Sequence, residues 1–214
     1  MNYLMIDDKY TAMPWDELDA IVFDVGNVLL SFDPQAILDD LAGDVPELHP
    51  QLMLKVFHSP YWCMRDHGII SEADAIEAMI GRDEHLAPYI RRIMKNWIEM
   101  KDVLPEGIEA LKTCKAHGKK LYVLSNYADE PFAHVDQKYD FFRLFDGKVI
   151  SSRIKLVKPD PAIYTHVIHT FGLTPARTLF IDDSIANIET ALAMGWQGYC
   201  HNKPGKLRDF IAKK

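Results

Sequence analysis

Ala20-Ile21-Val22-Phe23-Asp24-Val25-Gly26-Asn27-Val28-Leu29 is the stretch on which the fold turns. Four apolar residues run without interruption into an acid. A run this short, apolar on both sides of the pleat, fits a strand buried on both faces. Similar runs recur at Leu121-Tyr122-Val123-Leu124, Lys148-Val149-Ile150, Thr178-Leu179-Phe180-Ile181 and Gln197-Gly198-Tyr199-Cys200. Helical patterns lie between most of them. Residues 105–117 carry Ile108, Leu111 and Cys114 and stop at Gly118. Asp160-Pro161 reads as an N-cap followed by proline at the first helical position, with Ile163, Val167, Ile168 and Phe171 on one face and Gly172 as the stop. Ser184 is placed to cap a helix carrying Ile185, Ile188 and Leu192 that ends at Gly195. Strands alternating with helices predict an α/β fold, a Rossmann-like parallel sheet covered by helices.

The first strand does not lead directly into that alternation. Residues 34–100 are helical in pattern throughout. Ser71-Glu72-Ala73-Asp74 resembles a capping box ahead of Ile76, Met79 and Ile80, with Gly81 as the stop. Tyr89, Ile93, Trp97 and Met100 recur at helical spacing and read as packing. The expected organisation is a core made of residues 1–33 and 101–214, with an inserted helical subdomain at 34–100.

Composition narrows the function. The chain has 214 residues, with 24 Lys+Arg against 31 Asp+Glu, a net charge of −7. Net repulsion argues against nucleic acid as the principal partner. With 48% hydrophobic and 26% charged residues the chain is globular in type. No apolar stretch reaches the roughly 18 residues of a membrane span. Residues 1–19, with Asp7, Asp8, Asp16, Glu17 and Asp19, lack the features of a secretory signal and are expected to lie as a short leader across the body. Cys63, Cys114 and Cys200 are odd in number and widely spaced, which suits a reducing, cytoplasmic setting. Residues 203–214 are mildly basic and read as a solvated helix face.

In an open parallel sheet, ligands bind beyond the carboxyl ends of the strands. The polar residues there are Asp24, Ser125-Asn126 and Asp182-Asp183, with Lys158-Pro159 just ahead of the Asp160 helix. Singly, each reads as a turn or cap residue. Together they would place three carboxylates, a lysine and a serine on one rim. Clustered carboxylates repel unless a cation compensates, and all-oxygen ligands favour Mg²⁺. An ionised aspartate is then a nucleophile that forms an aspartyl-phosphate. Phosphoryl transfer otherwise needs positioning and charge cancellation.

Phe23-Asp24-Val25-Gly26-Asn27-Val28-Leu29, Leu124-Ser125-Asn126, Val157-Lys158-Pro159 and Phe180-Ile181-Asp182-Asp183-Ser184-Ile185-Ala186-Asn187 resemble, in order, the four motifs of the haloacid dehalogenase superfamily of hydrolases. The first motif is most similar to bacterial sugar-phosphate phosphatases of the α-D-glucose-1-phosphate phosphatase type. The resemblance implies that the helical insert is a cap. It implies that Asp24 is nucleophile and Mg²⁺ ligand, that the Gly26 carbonyl is a second ligand, and that Asp182 and Asp183 hold the metal directly or through water. Ser125 and the Asn126 backbone N–H would bind the phosphoryl group, Lys158 would neutralise nucleophile and phosphate, and Asn187 would orient Lys158 or a metal-site carboxylate. The implied substrate is a small phosphorylated metabolite.

This chain departs from the family pattern at Gly26, where most phosphatases of the family carry an acid that protonates the leaving alcohol. Such help is worth roughly 10²–10⁴-fold in rate. Three resolutions stand. The leaving group needs little help, as with an anomeric oxygen or an acyl phosphate, which is the favoured one; the insert supplies Asp66 or His67; or the protein is slow and binds rather than turns over. Substrate choice falls to residues 58–68, where Trp62 reads as packing or as a platform for a sugar ring and Arg65 as a site for a second anionic group. Two other functions remain in play. A haloacid dehalogenase would use the same aspartate on carbon without metal, although the Asp182-Asp183 pair would repel its carboxylate substrate. A catalytically weak domain would only bind a phosphometabolite or a protein.

Overall fold

The structure, a computed structural model, describes residues 4–5 and 13–212. Six parallel strands make one sheet: β1 (Leu4–Met5), β2 (Ala20–Phe23), β3 (Lys120–Ser125), β4 (Gly147–Ile150), β5 (Thr178–Asp182) and β6 (Gln197–Cys200), in the order β1-β6-β5-β2-β3-β4. Five of these are the expected runs. Of the leader, Leu4–Met5 adds a sixth strand at the edge beside β6, and residues 1–3 and 6–12 lie outside the described residues.

Between β2 and β3 the chain forms α1 (Pro34–Leu41), α2 (His49–Lys55), α3 (Pro60–Asp66), α4 (Glu72–Ile80) and α5 (Ala87–Asn96), and then α6 (Pro105–Ala116). After β3 come α7 (Asp129–Lys138), α8 (Ser151–Ile154), α9 (Pro161–Phe171), α10 (Ile185–Ala193) and α11 (Lys206–Ala212). The result is a Rossmann-like α/β core with an inserted all-helical subdomain.

Period-2 alternation in the strands sorts side chains to the two faces of the sheet. Ile21, Phe23, Leu121, Leu179 and Ile181 meet Ala110, Leu111 and Cys114 of α6 and Leu207, Phe210 and Ile211 of α11. Ala20, Val22, Tyr122, Leu124 and Phe180 meet α9 through Ile163, Tyr164 and Val167, and α10 through Ile188 and Ala191. Ile21, Val22 and Phe23 are fully buried, and each such side chain is worth about 1.5–3 kcal/mol of transfer free energy. The C-terminal helix is therefore not the solvated face its charges suggested. Its apolar residues pack on α6, and Glu106 accepts hydrogen bonds from the backbone N–H groups of Gly205 (2.7 Å) and Arg208 (2.9 Å) at its start.

Caps follow the sequence with one exception. Asp160 accepts from Ala162 N, Ser71 accepts from Asp74 N, and Gly172 ends α9 with φ +64°. Ser184 stands at the N-cap of α10 but its hydroxyl caps nothing; its backbone N–H instead donates to Asp182 Oδ1 at 2.8 Å.

The insert is tied to the core where the chain leaves and returns. Ser31 N donates to Asp102 O (2.8 Å), Asp102 N to Ser31 Oγ (2.9 Å) and Leu104 N to Leu29 O (2.9 Å). A second seam joins α3 to α8. Ser151 Oγ donates to Asp66 O and accepts from Tyr127 N, while His67 Nε2 lies 3.0 Å from Lys155 O.

Gly107 lets α6 approach the loop after β2, because a Cβ there would stand 1.8 Å from Val28 O. Backbone must move to accept it, and overpacking of this kind costs about 1–3 kcal/mol. Gly107→Ala is therefore expected to lower the thermal midpoint by several degrees in a calorimetric scan; an unchanged midpoint would show that the contact is not close in solution.

Candidate active site

Register brings the motif residues together. Phe23 pairs with Val123 on one side and Ile181 on the other, so Asp24, just past β2, is level with the ends of both neighbouring strands. The loop that follows is a tight turn in which Val25 O accepts from Leu29 N and Leu30 N. Asn27 adopts φ +51°, a left-handed conformation that Asn tolerates better than most residues. Its amide braces two elements: Oδ1 accepts from Phe32 N (2.8 Å) and Nδ2 donates to Asp183 Oδ2 (3.1 Å).

Lys158 is the centre of the site. Its Nζ lies 2.6 Å from Asp182 Oδ2 and 3.0 Å from Asp24 Oδ1, and all three side chains are buried. The Asn126 amide holds the lysine's backbone from both sides, donating to Lys158 O (2.9 Å) and accepting from Lys158 N (2.8 Å). Asn187 Nδ2 donates to both oxygens of Asp182 (3.0 and 3.1 Å), so it orients a carboxylate and not the ammonium. Burial pushes the Asp24 carboxyl up to about 6; Lys158 opposes this, Asp182 and Asp183 reinforce it, and the Ser125 hydroxyl opposes it. Burial alone would depress Lys158, but Asp182 and Asp24 outweigh it and raise its pKa.

The two adjacent acids differ in surroundings. Asp182 is wholly buried, and its oxygens are occupied by Lys158, Asn187 and the Ser184 N–H. Asp183 opens onto the cavity and is bound by Asn27. Ligand atoms of Asp24, Asp182 and Asp183 all lie within 4.8 Å of one another. Asp24 Oδ1 is buried and, although close to Lys158, accepts no aligned hydrogen bond. Three carboxylates against one ammonium, with an unsatisfied oxygen and only oxygen donors, fit a hard divalent cation.

The cavity over this cluster has a volume of about 180 Å³. Asp24, Gly26, Ser125, Asn126, Lys158, Asp183 and Asn187 form its floor, and the insert with its linkers supplies Phe32, Trp62, Arg65, Asp66, Trp97 and Lys101. Trp97, expected as a packing residue, and Trp62, expected either to pack or to serve as a sugar platform, pack on each other with centroids 5.0 Å apart, and both also wall the cavity. Arg65 corrects an expectation. Its guanidinium lies over Trp62 (3.9 Å to the centroid) and is charge-paired with Asp66 (2.9 Å) and Glu72 (3.4 Å), so it is not an uncompensated cation, although its Nη1 makes no aligned hydrogen bond. His67 is not among the lining residues; Asp66 is.

Lys101, which follows the helical stripe ending at Met100, was not singled out by the sequence. Here it is 5% exposed, with Nζ 4.2 Å from the Phe32 ring centroid and 5.1 Å from that of Trp97. Burial brings its pKa down to about 7; Asp24 and Asp66 resist this and Arg65 adds to it.

The site is thus a buried ammonium between carboxylates at the open ends of a parallel sheet, under a helical insert. The chain belongs to the haloacid dehalogenase-like hydrolases, whose family matches residues 18–195. It is 21% identical over 192 residues to drimenol cyclase of Aspergillus calidoustus, matching 88% of this chain and 35% of that protein, so it spans about a third of that relative's length. It is 24% identical over 183 residues to a sesquiterpene phosphatase of Aspergillus oryzae, covering 84% of this chain and 87% of the relative. The fold is shared with a HAD family enzyme of Bacteroides thetaiotaomicron solved with magnesium and inorganic phosphate (TM-score 0.70, 21% identity, 88% of this chain and 96% of that one). It is also shared with a dehalogenase (TM-score 0.71, 22% identity, 89% and 87%).

Asn126→Ala would leave the buried backbone N–H and C=O of Lys158 unpaired, at about 1–3 kcal/mol for each group left unsatisfied. The variant is expected to unfold at clearly lower urea concentration than the parent; coincident unfolding curves would show that the amide does not hold the lysine.

Proposed function

We propose that the protein is a Mg²⁺-dependent phosphatase acting on a small soluble phosphate ester through an aspartyl-phosphate on Asp24. One observation carries this reading: the Asp24 carboxylate stands at the cavity floor beside the Lys158 ammonium, with an oxygen that nothing else engages in an aligned hydrogen bond. That carboxylate attacks phosphorus in line. Lys158 neutralises charge on nucleophile and phosphoryl group, and Ser125 and the Asn126 N–H hold the peripheral oxygens. Asp24, the Gly26 carbonyl and Asp183 would hold the cation directly, whereas Asp182 is committed to Lys158 and Asn187. When bound, Mg²⁺ supplies the countercharge that lets an ionised aspartate and a phosphate dianion share one pocket.

The lining supports a substrate that sets a phosphoryl group on the charged floor and its leaving group against the rings of Trp62 and Trp97. A small sugar phosphate lying against the aromatic wall is one such ester. A phosphatase relative that this chain nearly spans favours phosphorus over carbon as the centre attacked. So does the carboxylate cluster, which would repel a haloacid. The three unpaired cysteines suit a cytoplasmic setting.

A panel of phosphorylated metabolites with Mg²⁺ tests the assignment. Turnover is expected for at least one ester, to be abolished by EDTA, and to fall to buffer level in Asp24→Asn with the fold intact by circular dichroism. EDTA-resistant halide release without phosphatase activity would establish the dehalogenase instead. Millimolar Mg²⁺ is expected to raise the melting temperature of the parent protein and to do so much less for Asp183→Asn; equal shifts would remove Asp183 from the metal site.

A further inference from the structure

With glycine at position 26, the phosphatase reading lacks a proton donor for the leaving oxygen. Among the described residues the cavity is lined by three cations. Lys158 is bound to Asp24 and Asp182, and Arg65 to Asp66 and Glu72. The third, Lys101, forms no ion pair with any described carboxylate; its ammonium faces the rings of Phe32 and Trp97. Its backbone is fixed by Tyr139, whose hydroxyl donates to Lys101 O at 2.6 Å, and by the adjacent Ser31–Asp102 hydrogen bonds.

We propose that Lys101 is the general acid and base of the reaction, acting from the part of the cavity wall it shares with Phe32 and Trp97 and doing the work of the side chain absent at Gly26. The inference rests on the phosphatase reading. In the first half-reaction an Asp24 oxygen bonds to phosphorus, the bond from phosphorus to the leaving oxygen breaks, and that oxygen takes a proton from the Lys101 ammonium. The products are an alcohol, an aspartyl-phosphate and a neutral amine. In the second, water attacks phosphorus from the side the alcohol has left and gives one proton to the Lys101 amine. The acyl-phosphate bond breaks, releasing inorganic phosphate, the Asp24 carboxylate and the restored ammonium.

Burial that brings the lysine to about 7 suits both halves at neutral pH, where an acid–base group is most effective. The charged groups facing it are Asp24 from the β2 end and Asp66 and Arg65 from α3. Burial pushes the Asp66 carboxyl up and Arg65 opposes this; Asp66 is the weaker candidate because its Oδ1 is engaged by both Nε (3.2 Å) and Nη2 (2.9 Å) of Arg65.

The test compares wild type, K101M and K101R on esters of graded leaving group: alkyl phosphates, 4-nitrophenyl phosphate and acetyl phosphate, all with Mg²⁺. K101M is expected to lose roughly 10²–10⁴-fold in kcat/KM on alkyl phosphates and less than about tenfold on the two activated substrates, whose turnover also reports an intact fold. K101R keeps the charge but gives up no proton, and is expected to be as slow as K101M on alkyl phosphates. A Cβ at Gly26 meets nothing within 4 Å, so G26D in the K101M background has room to restore part of the alkyl activity. Equal losses on all three substrate types, or alkyl turnover restored by K101R, would overturn the proposal and leave Lys101 as an electrostatic contact. Absence of any Asp24-dependent turnover in the wild type would instead sink the phosphatase reading, and this inference with it.

Discussion

A single ammonium between two carboxylates organises this molecule. Lys158 reaches Asp24 and Asp182 from a loop outside the sheet, and bridges the ends of β2 and β5 where the strand order reverses. Burying three charges carries a desolvation penalty of several kcal/mol per ion, and ion pairing offsets it only where the remaining lone pairs are also satisfied. Much of the surrounding sequence does that. Asn187 and the Ser184 N–H close the oxygens of Asp182, and Asn126 pins the backbone that presents the lysine. One oxygen, Oδ1 of Asp24, is buried 3.0 Å from the ammonium without an aligned hydrogen bond, so on this floor the network is incomplete at Asp24.

The helical insert contributes a different kind of environment. Its aromatic cluster, Phe57, Trp62 and Trp97 with Phe32 from the linker, lowers the local polarity above the charged floor. Charges at that boundary interact more strongly than they would in water. Arg65 and Lys101 both sit among the rings, yet differ in consequence. Arg65 pairs with two carboxylates; Lys101 forms no ion pair among the described residues and lies against ring faces, and burial lowers its pKa.

Much of this was legible in the amino-acid order. Apolar runs closing on Asp24, Ser125 and Asp182 gave parallel strands with chemistry at their ends, because a period-2 element buried on both faces has little alternative. Convergence of Lys158 followed from the motif order. What stayed hidden depends on contacts between distant segments. The unequal burial of Asp182 and Asp183 is set by the pleat, which turns one side chain inward and leaves its neighbour at the rim. Lys101 is buried because two linkers far apart in sequence lie side by side, and no local pattern marks that. The packing of α11 was readable, since Leu207, Phe210 and Ile211 recur at helical spacing, but the basic residues drew attention away from it.

The paired linkers also bear on motion. Ser31 and Asp102 are joined by two hydrogen bonds at the only place where the insert connects covalently to the sheet. Any swing of the helices must pivot near that crossing, and points close to an axis travel least. Phe32 and Lys101 adjoin the pivot, whereas Trp62, Arg65 and Asp66 stand on α3, away from it in the chain. Opening would have to break the seam between α3 and α8, at Ser151–Asp66 and His67–Lys155, before it carried off the far wall of the chamber, and would leave the cation and its ring almost in place. An incoming molecule would thus meet half of its binding surface already assembled, and release would need only the other half to let go.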